Sequence, residues 1–269
     1  MQNPLLPFIH QNGAFILDGG LATELEAWGC NLGDALWSAR LLHDDPQMIK
    51  RVHLAYYKAG ADCAITASYQ ATIPGFMAQG MTEAEAIRLI NLSIELAVQA
   101  RDEFWAEAAN RVGRIRPLVA ASVGPYGAYL ADGSEYRGDY DLDEAGLRAW
   151  HAPRWQLLTA SPADLLACET LPSLAEAKAL AALLTQSPDR MAWFSFSCRD
   201  GQRISDGTPI AECATYLDQF PQVAAIGVNC TAPRFIPDLI REIFRVTQKP
   251  IVVYPNSGET YDVERKHWF

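Results

Sequence analysis

The residues of this chain best able to do chemistry are the polar side chains that follow short apolar runs. They are Asp18, Ser68, Ser122, Glu169, Ser197, Cys230 and Asn256. This set has no lysine and no histidine, so we expect neither a Schiff-base mechanism nor a histidine-based proton shuttle. Two carboxylates suit the ammonium group of an amino-acid substrate. The single thiol is weak evidence alone, because a lone buried cysteine is usually a small hydrophobic residue.

Each of the two carboxylates has a structural alternative. Asp18 lies in the run Leu17-Asp18-Gly19-Gly20. It either faces a pocket, with the glycines letting the backbone approach a ligand, or caps a turn. Glu169 directly follows an apolar strand pattern. It either binds a substrate cation or makes a structural hydrogen bond to a neighbouring loop.

Apolar runs that alternate with helical patterns must position these residues. We expect buried strands at 14–18, 61–68, 117–122, 163–168, 191–197, 223–228 and 250–254. Capping signals define helix starts at Asp45-Pro46, at Thr82 with Glu85, and at Ser173 with Glu176. Gly60 is expected to end the first of these helices.

Alternating strands and helices of this kind predict an α/β fold with a parallel sheet. Seven such units in one row favour a (β/α)₈ TIM barrel, one strand short of eight, over an open doubly wound sheet. With 269 residues, the chain suits a single barrel domain over 1–269. In such barrels the chemistry lies at the carboxyl ends of the strands.

The bulk composition excludes several classes of partner. The formal net charge of -10 argues against nucleic acid and against an anionic membrane surface, because both require clustered Lys and Arg. The first residues do not resemble a signal peptide, and no apolar stretch is long enough to span a membrane. The six cysteines are dispersed, which suits reduced thiols and a cytoplasmic location.

A set of short motifs in order along the chain carries a family resemblance. It resembles the homocysteine S-methyltransferase family over essentially its whole length. The long runs at 65–72 (ITASYQAT) and 122–140 (SVGPYGAYLADGSEYRGDY) resemble the bacterial and plant branch that uses S-methylmethionine. The shorter motifs are Asp18-Gly19-Gly20, Thr66-Ala67-Ser68-Tyr69, Glu169-Thr170, Gly227-Val228-Asn229-Cys230 and Tyr254-Pro255-Asn256.

The resemblance implies a zinc enzyme that transfers a methyl group from S-methylmethionine, or from S-adenosylmethionine, to homocysteine to give methionine. Zinc activates the substrate thiol by lowering its pKa from about 8.5. The resemblance makes Cys230 a zinc ligand and the catalytic position, and it assigns the homocysteine amino group to Asp18 and Glu169. The residues expected to line the pocket are Ser68, Tyr69, Asn229 and Asn256.

One departure from the family pattern concerns the other zinc ligands. The family supplies two adjacent cysteines at the end of an eighth strand, and here these are expected beyond Phe269. Cys168 and Cys198 are the substitutes that the sequence offers. The chain is therefore either a zinc methyltransferase or an incomplete, non-catalytic chain that keeps the amino-acid pocket without holding zinc.

The segment that follows the third predicted strand is long and rich in aromatic and acidic residues. Its tyrosines are Tyr126, Tyr129, Tyr136 and Tyr140, and its carboxylates are Asp132, Glu135 and Asp139. Aromatic faces and carboxylates attract a desolvated cation, so part of this segment is expected to cover the sulfonium donor. The alternative is an acidic surface loop.

Overall fold

The computed structural model of the protein describes residues 2–30 and 41–258, and the backbone of 261–262 and 267–268. The helices are α1 (Leu6–Asn12), α2 (Leu21–Ala27), α3 (Leu41–Asp44), α4 (Pro46–Ala59), α5 (Ile73–Ala78), α6 (Glu83–Ala106), α7 (Tyr126–Leu130), α8 (Glu144–Ala160), α9 (Leu174–Thr185), α10 (Ile210–Asp218) and α11 (Ile236–Phe244). The strands are β1 (Cys63–Ile65), β2 (Leu118–Val123), β3 (Leu165–Leu171), β4 (Ala192–Phe196), β5 (Val223–Asn229), β6 (Ile251–Tyr254), β7 (Tyr261–Asp262) and β8 (His267–Trp268).

Six strands follow one another in a single sheet in the order β1-β2-β3-β4-β5-β6. The pairs β1–β2, β4–β5 and β5–β6 are parallel, as the alternation of strands and helices predicts. These strands coincide with six of the seven predicted ones. The predicted strand at 14–18 contributes only a parallel bridge from Leu17 to Cys63. It is also not buried, since Ile16 is 52% exposed.

The eight-stranded barrel is not confirmed by the described residues. Their α/β fold has six strands in one sheet, and β7 pairs antiparallel with β8 in a separate two-stranded sheet. The single domain over 1–269 stays a prediction. The chain divides into two compact units, which we call the N-terminal unit (Gln2–Ser122 with Gln156–Leu166) and the C-terminal unit (Val123–Trp155 with Ala167–Phe269).

Helix α4 shows how local sequence signals set the elements of the N-terminal unit. The Asp45 side chain accepts a hydrogen bond from the N–H of Met48 at the helix start, and Gly60 ends the helix in a left-handed conformation. Both signals were predicted, and both are confirmed. Tyr57 then fixes α4 to the sheet, because its hydroxyl donates to the carbonyl of Leu118 at 2.9 Å.

Helix α6 begins with the predicted capping box. The N–H of Thr82 donates to Glu85 Oε2 at 2.8 Å, and the N–H of Glu85 donates to Thr82 Oγ1 at 3.3 Å. The helix is 24 residues long but carries many charged side chains. Within the part of the chain that the structure describes, no helix is both long and apolar enough to cross a membrane.

Helix α9, in the C-terminal unit, begins with half of the capping box that we predicted. Ser173 Oγ accepts from the N–H of Glu176 at 3.2 Å. The Glu176 carboxylate does not return the bond. Its Oε1 instead accepts from the N–H of Tyr126 at 2.6 Å and lies 2.8 Å from His151 Nε2. The reciprocal half of the box was wrong because these buried partners compete for the carboxylate.

Candidate functional site

Cys230 is the first residue after β5, which runs one residue further than the strand predicted at 223–228. Every residue of β5 is buried, and the strand pairs with β4 on one side and β6 on the other. The N–H of Cys230 donates to the carbonyl of Tyr254 at 3.2 Å, which continues the pairing with β6 by one residue. The thiol is therefore carried on a backbone that the sheet holds in place.

The side chain of Asn229 links β5 to β3, which are not neighbours in the sheet. Its Oδ1 accepts from the N–H of Thr170 at 2.8 Å, and its Nδ2 donates to Thr170 Oγ1 at 2.7 Å. Asn229 is 1% exposed. Its amide therefore holds two strand ends together, and the pocket-lining role that we expected stays a prediction.

Thr170 and Cys230 both have a left-handed backbone, with φ values of 59° and 46°. A β-branched residue such as threonine is a true outlier there, and strain of this kind costs about 1–3 kcal/mol per residue. Such strain persists only where surrounding contacts hold it. The Asn229 amide supplies those contacts, and strained residues tend to cluster at functional sites.

The Cys230 thiol lies among hydrogen-bond donors and carboxylates. Its sulfur accepts from Asn229 Nδ2 at 3.3 Å and from Thr170 Oγ1 at 3.7 Å. Burial raises the pKa of Cys230 to about 11, and the charges of Glu169 and Glu135 add to the rise, although the two donors oppose it. A thiol with this pKa keeps its proton at neutral pH unless a cation stabilises the thiolate.

Glu169 lies inside β3, whereas we predicted it directly after a strand. The strand runs three residues further than its apolar pattern, because Glu169 and Thr170 are themselves buried there. The Glu169 Oε2 accepts a hydrogen bond from the hydroxyl of Tyr254 at 2.9 Å. The carboxylate is only 6% exposed, so it is desolvated and suited to a cationic ligand.

Glu135 is a second carboxylate of interest in the C-terminal unit. Its Oε2 is buried and has no hydrogen-bond partner among the described residues. Burial, and next the charge of Asp132, raise the pKa of Glu135. Its backbone carbonyl accepts from Ser197 Oγ at 3.0 Å, which anchors the residue. A buried polar group without a partner often marks a place where a ligand binds.

The tyrosines that we expected near the donor pack largely against one another. Tyr126 lies 6.0 Å from Tyr129 and 5.3 Å from Tyr140, measured between ring centroids. Trp150 joins them, 5.0 Å from Tyr126 and 5.7 Å from Tyr129. These contacts pack the rings together, and their place near the donor stays a prediction.

Asp18 belongs to the N-terminal unit, where it is tied to β1. Its Oδ2 accepts from the N–H of Ile65 at 2.8 Å, and its own N–H donates to the carbonyl of Cys63 at 3.0 Å. The neighbouring Gly19 faces Tyr56, since a Cβ there would lie 2.7 Å from the Tyr56 hydroxyl. The glycine therefore makes room for a side chain, where we had expected a ligand.

The other residues expected to line the pocket, Ser68, Tyr69 and Asn256, differ in their burial and hydrogen bonds. Ser68 is fully buried, and its hydroxyl donates to the carbonyl of Ser122 at 2.8 Å and lies 2.7 Å from Thr66 Oγ1. These internal bonds are typical of a structural role. Tyr69 is half-buried in the same unit. Asn256 is half-buried in the C-terminal unit, and its N–H donates to the carbonyl of Thr231 at 3.1 Å.

The donor set around Cys230 does not by itself fit a metal ion. Within residues 2–30 and 41–258, no three or more His, Cys, Asp or Glu side chains form a group able to hold one. Neither Cys168 nor Cys198 completes such a group. Burial raises the pKa of Cys168, and it raises that of Cys198 to about 12.

Comparison with known proteins decides the family. The homocysteine S-methyltransferase family model matches residues 15–269. The chain belongs to this family. It is 56% identical over 266 residues to homocysteine S-methyltransferase YbgG of Bacillus subtilis, a match that covers 99% of this chain and 84% of that protein. It is 52% identical over 266 residues to homocysteine S-methyltransferase of Escherichia coli, covering 99% of this chain and 85% of that protein.

A solved structure of the family has the same fold. It is the metallated form of the homocysteine methyltransferase MmuM from Escherichia coli. The two superpose with a TM-score of 0.90 at 52% identity, over 95% of this chain and 88% of that chain. The family resemblance predicted from the motifs is confirmed, and the chain is an enzyme of the homocysteine S-methyltransferase family.

The sequence analysis assigned no role to two residues of this candidate site in the homocysteine S-methyltransferase chain. Thr170 bonds to Asn229 and to the Cys230 thiol, and Tyr254 bonds to Glu169. Each was part of a motif, next to Glu169 or at the end of the last predicted strand. Their positions at strand ends, where barrel chemistry lies, were the signal that could have identified them.

Proposed function

We propose that this chain transfers a methyl group from S-methylmethionine to the sulfur of homocysteine. The new bond joins the homocysteine sulfur to the methyl carbon, and the bond from that carbon to the donor sulfonium breaks. The donor leaves as a neutral thioether, so both products are methionine, and the thiol proton passes to water. S-adenosylmethionine is the second donor candidate. Close identity to proteins named homocysteine S-methyltransferase supports the proposal.

The observation that carries this proposal is the arrangement of Glu169 and Cys230 in the C-terminal unit. The desolvated Glu169 carboxylate would bind the amino group of homocysteine. The role expected for Asp18, in the N-terminal unit, stays a prediction. Glu169 directly precedes Thr170, whose hydroxyl lies 3.7 Å from the Cys230 sulfur. A substrate held by its amino group at Glu169 would thus bring its own sulfur towards Cys230. Positioning of this kind is the main requirement of an in-line displacement.

We propose zinc as the metal of this enzyme and Cys230 as one of its ligands. The metallated form of the Escherichia coli relative supports a metal in the family. The described residues around Cys230 do not complete a metal site. The (β/α)₈ barrel likewise stays a proposal. A cytoplasmic location is also proposed, because the six cysteines are free and suit a reducing compartment.

Isotope labelling tests the reaction directly. The purified protein, with added zinc, would receive carbon-13 homocysteine and S-methylmethionine with deuterated methyl groups. Methionine that carries both isotopes supports the proposal, and its absence overturns it. Parallel assays with S-adenosylmethionine identify the donor. Cys230→Ser should abolish the product, whereas Cys213→Ser, at a buried cysteine of α10, should not.

A non-catalytic chain that only binds the amino acid is the alternative. It is not favoured, because the similarity to named enzymes extends over 99% of this chain. Metal analysis separates the two functions further. About one zinc per chain under reducing conditions is expected for the enzyme, and no zinc is expected for the binding protein.

A further inference from the structure

We propose that Tyr254 is a positioning residue that fixes the Glu169 carboxylate for the amino group of the thiol substrate. This inference rests on the proposed function, in which Glu169 binds that amino group. Tyr254 is the last residue of β6, and its hydroxyl donates to Glu169 Oε2 at 2.9 Å. The two residues are 85 positions apart in the sequence, so the fold itself brings them together.

The directions of the hydrogen bonds around Tyr254 follow from the chemistry of its partners. Trp193 Nε1 lies 3.1 Å from the Tyr254 hydroxyl and can only donate. Ser195 Oγ lies 2.7 Å from the same oxygen. The phenol has one proton, and it donates that proton in the hydrogen bond to Glu169 Oε2. Ser195 must therefore donate to Tyr254, and the phenol accepts two bonds and donates one.

The two donors to Tyr254 come from a rigid element. Trp193 and Ser195 are two residues apart on β4, so they face the same side of the sheet, and both are fully buried. The Trp193 and Ser195 side chains thus hold the Tyr254 hydroxyl in place, and its proton points to the Glu169 carboxylate.

This network restricts the orientation of the Glu169 carboxylate through Oε2. A carboxylate offers about four acceptor positions, and Tyr254 occupies one on Oε2. A substrate ammonium group would then meet a carboxylate whose plane is already set, which lowers the ordering cost of binding. Without the phenol the carboxylate would lose the hydrogen bond at Oε2. We therefore expect Tyr254 to control recognition of the amino group more than the methyl-transfer step.

Removal of the hydroxyl with Tyr254→Phe tests the assignment. Two acceptors would be compared, homocysteine and 4-sulfanylbutanoate, which is homocysteine without its amino group. We expect the ratio of their kcat/KM values to fall about tenfold in the variant, mainly because KM for homocysteine rises. A general disturbance of the fold would lower kcat/KM for both thiols equally and leave the ratio unchanged, and that result would overturn the inference.

Two further variants keep the test decisive. Tyr57→Phe removes a comparable buried hydroxyl from the N-terminal unit and should leave the ratio unchanged. Ser195→Ala removes one donor to Tyr254 and should shift the ratio in the same direction, by about threefold. If Tyr254→Phe does not fold, the ratio of kcat/KM values for the two thiols in Ser195→Ala tests the inference instead. A wild-type protein that transfers no methyl group would overturn this inference together with the proposed function. An active wild type, with the ratio of kcat/KM values unchanged in both Tyr254→Phe and Ser195→Ala, would overturn this inference alone.

Discussion

The side-chain amide of Asn229 forms a pair of hydrogen bonds with the backbone N–H and the hydroxyl of Thr170, across two strand ends. The Thr170 N–H donates to Asn229 Oδ1 at 2.8 Å, and Asn229 Nδ2 donates to Thr170 Oγ1 at 2.7 Å. The Thr170 hydroxyl then donates to the sulfur of Cys230 at 3.7 Å. One buried amide thus fixes both the strained threonine and the direction of a donor to the thiol.

Replacement of this amide with Asn229→Ala should destabilise the protein and impair the site. The substitution leaves the buried N–H of Thr170 without its acceptor, which costs about 1–3 kcal/mol of unfolding free energy. We also expect kcat to fall, because Thr170 and Cys230 lose the contact that holds their left-handed backbone. Denaturant unfolding and methyl-transfer kinetics would measure the two effects.

Asn110→Ala is the matched control for this prediction. The Asn110 amide donates to the carbonyl of Phe104 at 2.8 Å in the N-terminal unit. Its loss should reduce stability and leave kcat unchanged. Equal kcat in Asn229→Ala and in the control would mean that the amide only stabilises the fold.

Gly227 is a position where any side chain should disrupt the sheet. A Cβ there would lie 1.7 Å from the carbonyl oxygen of Val252, which is backbone and cannot rotate away. We expect Gly227→Ala to separate β5 from β6 and to leave little folded protein. Gly146→Ala in α8 is the control, because the nearest atom there is a flexible Leu142 side-chain carbon at 3.2 Å. Circular dichroism melts that show similar stability for both variants would contradict this account of the β5–β6 pairing.

His53 should make the stability of the protein fall in mild acid. Burial lowers its pKa from 6.5 to about 4, and neither ring nitrogen has a hydrogen-bond partner among the described residues. The unfolded chain therefore binds the proton first as the pH falls. The stability that the neutral ring provides is complete above pH 6.5 and is lost towards pH 4, by about 3 kcal/mol.

His53→Leu tests this pH dependence. The variant should show a flatter curve of unfolding free energy between pH 6.5 and pH 4, because leucine does not titrate. The exposed His10→Leu should keep the wild-type slope. If both variants follow the wild-type curve in urea titrations, another group causes the acid sensitivity.

Glu135 should recognise the cationic methyl donor. Its buried carboxylate oxygen lacks a partner among the described residues, and a sulfonium or ammonium group would supply the missing charge. We expect Glu135→Gln to raise KM for S-methylmethionine about tenfold while KM for homocysteine stays constant, since charged hydrogen bonds are worth about 1.5–3 kcal/mol.

An exposed carboxylate of the same segment provides the control for Glu135. Asp139 pairs with Arg137 at 3.1 Å on the surface, so Asp139→Asn should leave both KM values unchanged. Initial-rate measurements with each substrate varied in turn would give both KM values for each variant. A Glu135→Gln variant with the wild-type donor KM would remove Glu135 from donor recognition.

Local chemistry made part of the fold predictable. The Asp45 cap, the Gly60 terminator and the Thr82–Glu85 box involve residues at most four positions from the groups they contact, so the sequence displays both partners. Glu176 shows the limit of such reasoning. Its spacing from Ser173 predicted a box, but its carboxylate bonds to Tyr126, 50 positions away.

The candidate site was predictable in its position and less so in its contacts. Cys230 follows β5 as its apolar run indicated, and Glu169 is buried as expected for a carboxylate beside an apolar strand. The bond from Tyr254 to Glu169 spans 85 positions, and the bond between Asn229 and Thr170 spans 59. No local pattern specifies which strand ends meet, so these pairs required the three-dimensional structure.

The left-handed backbone at Thr170 and Cys230 has a consequence for anyone who engineers this protein. Glycine adopts such a conformation without strain, so a search for thermostable variants that ranks substitutions by folding energy would favour glycine at both positions. Those variants would discard the sulfur and the hydroxyl that donates to it. Screens for heat resistance in this enzyme therefore need to hold these two positions constant.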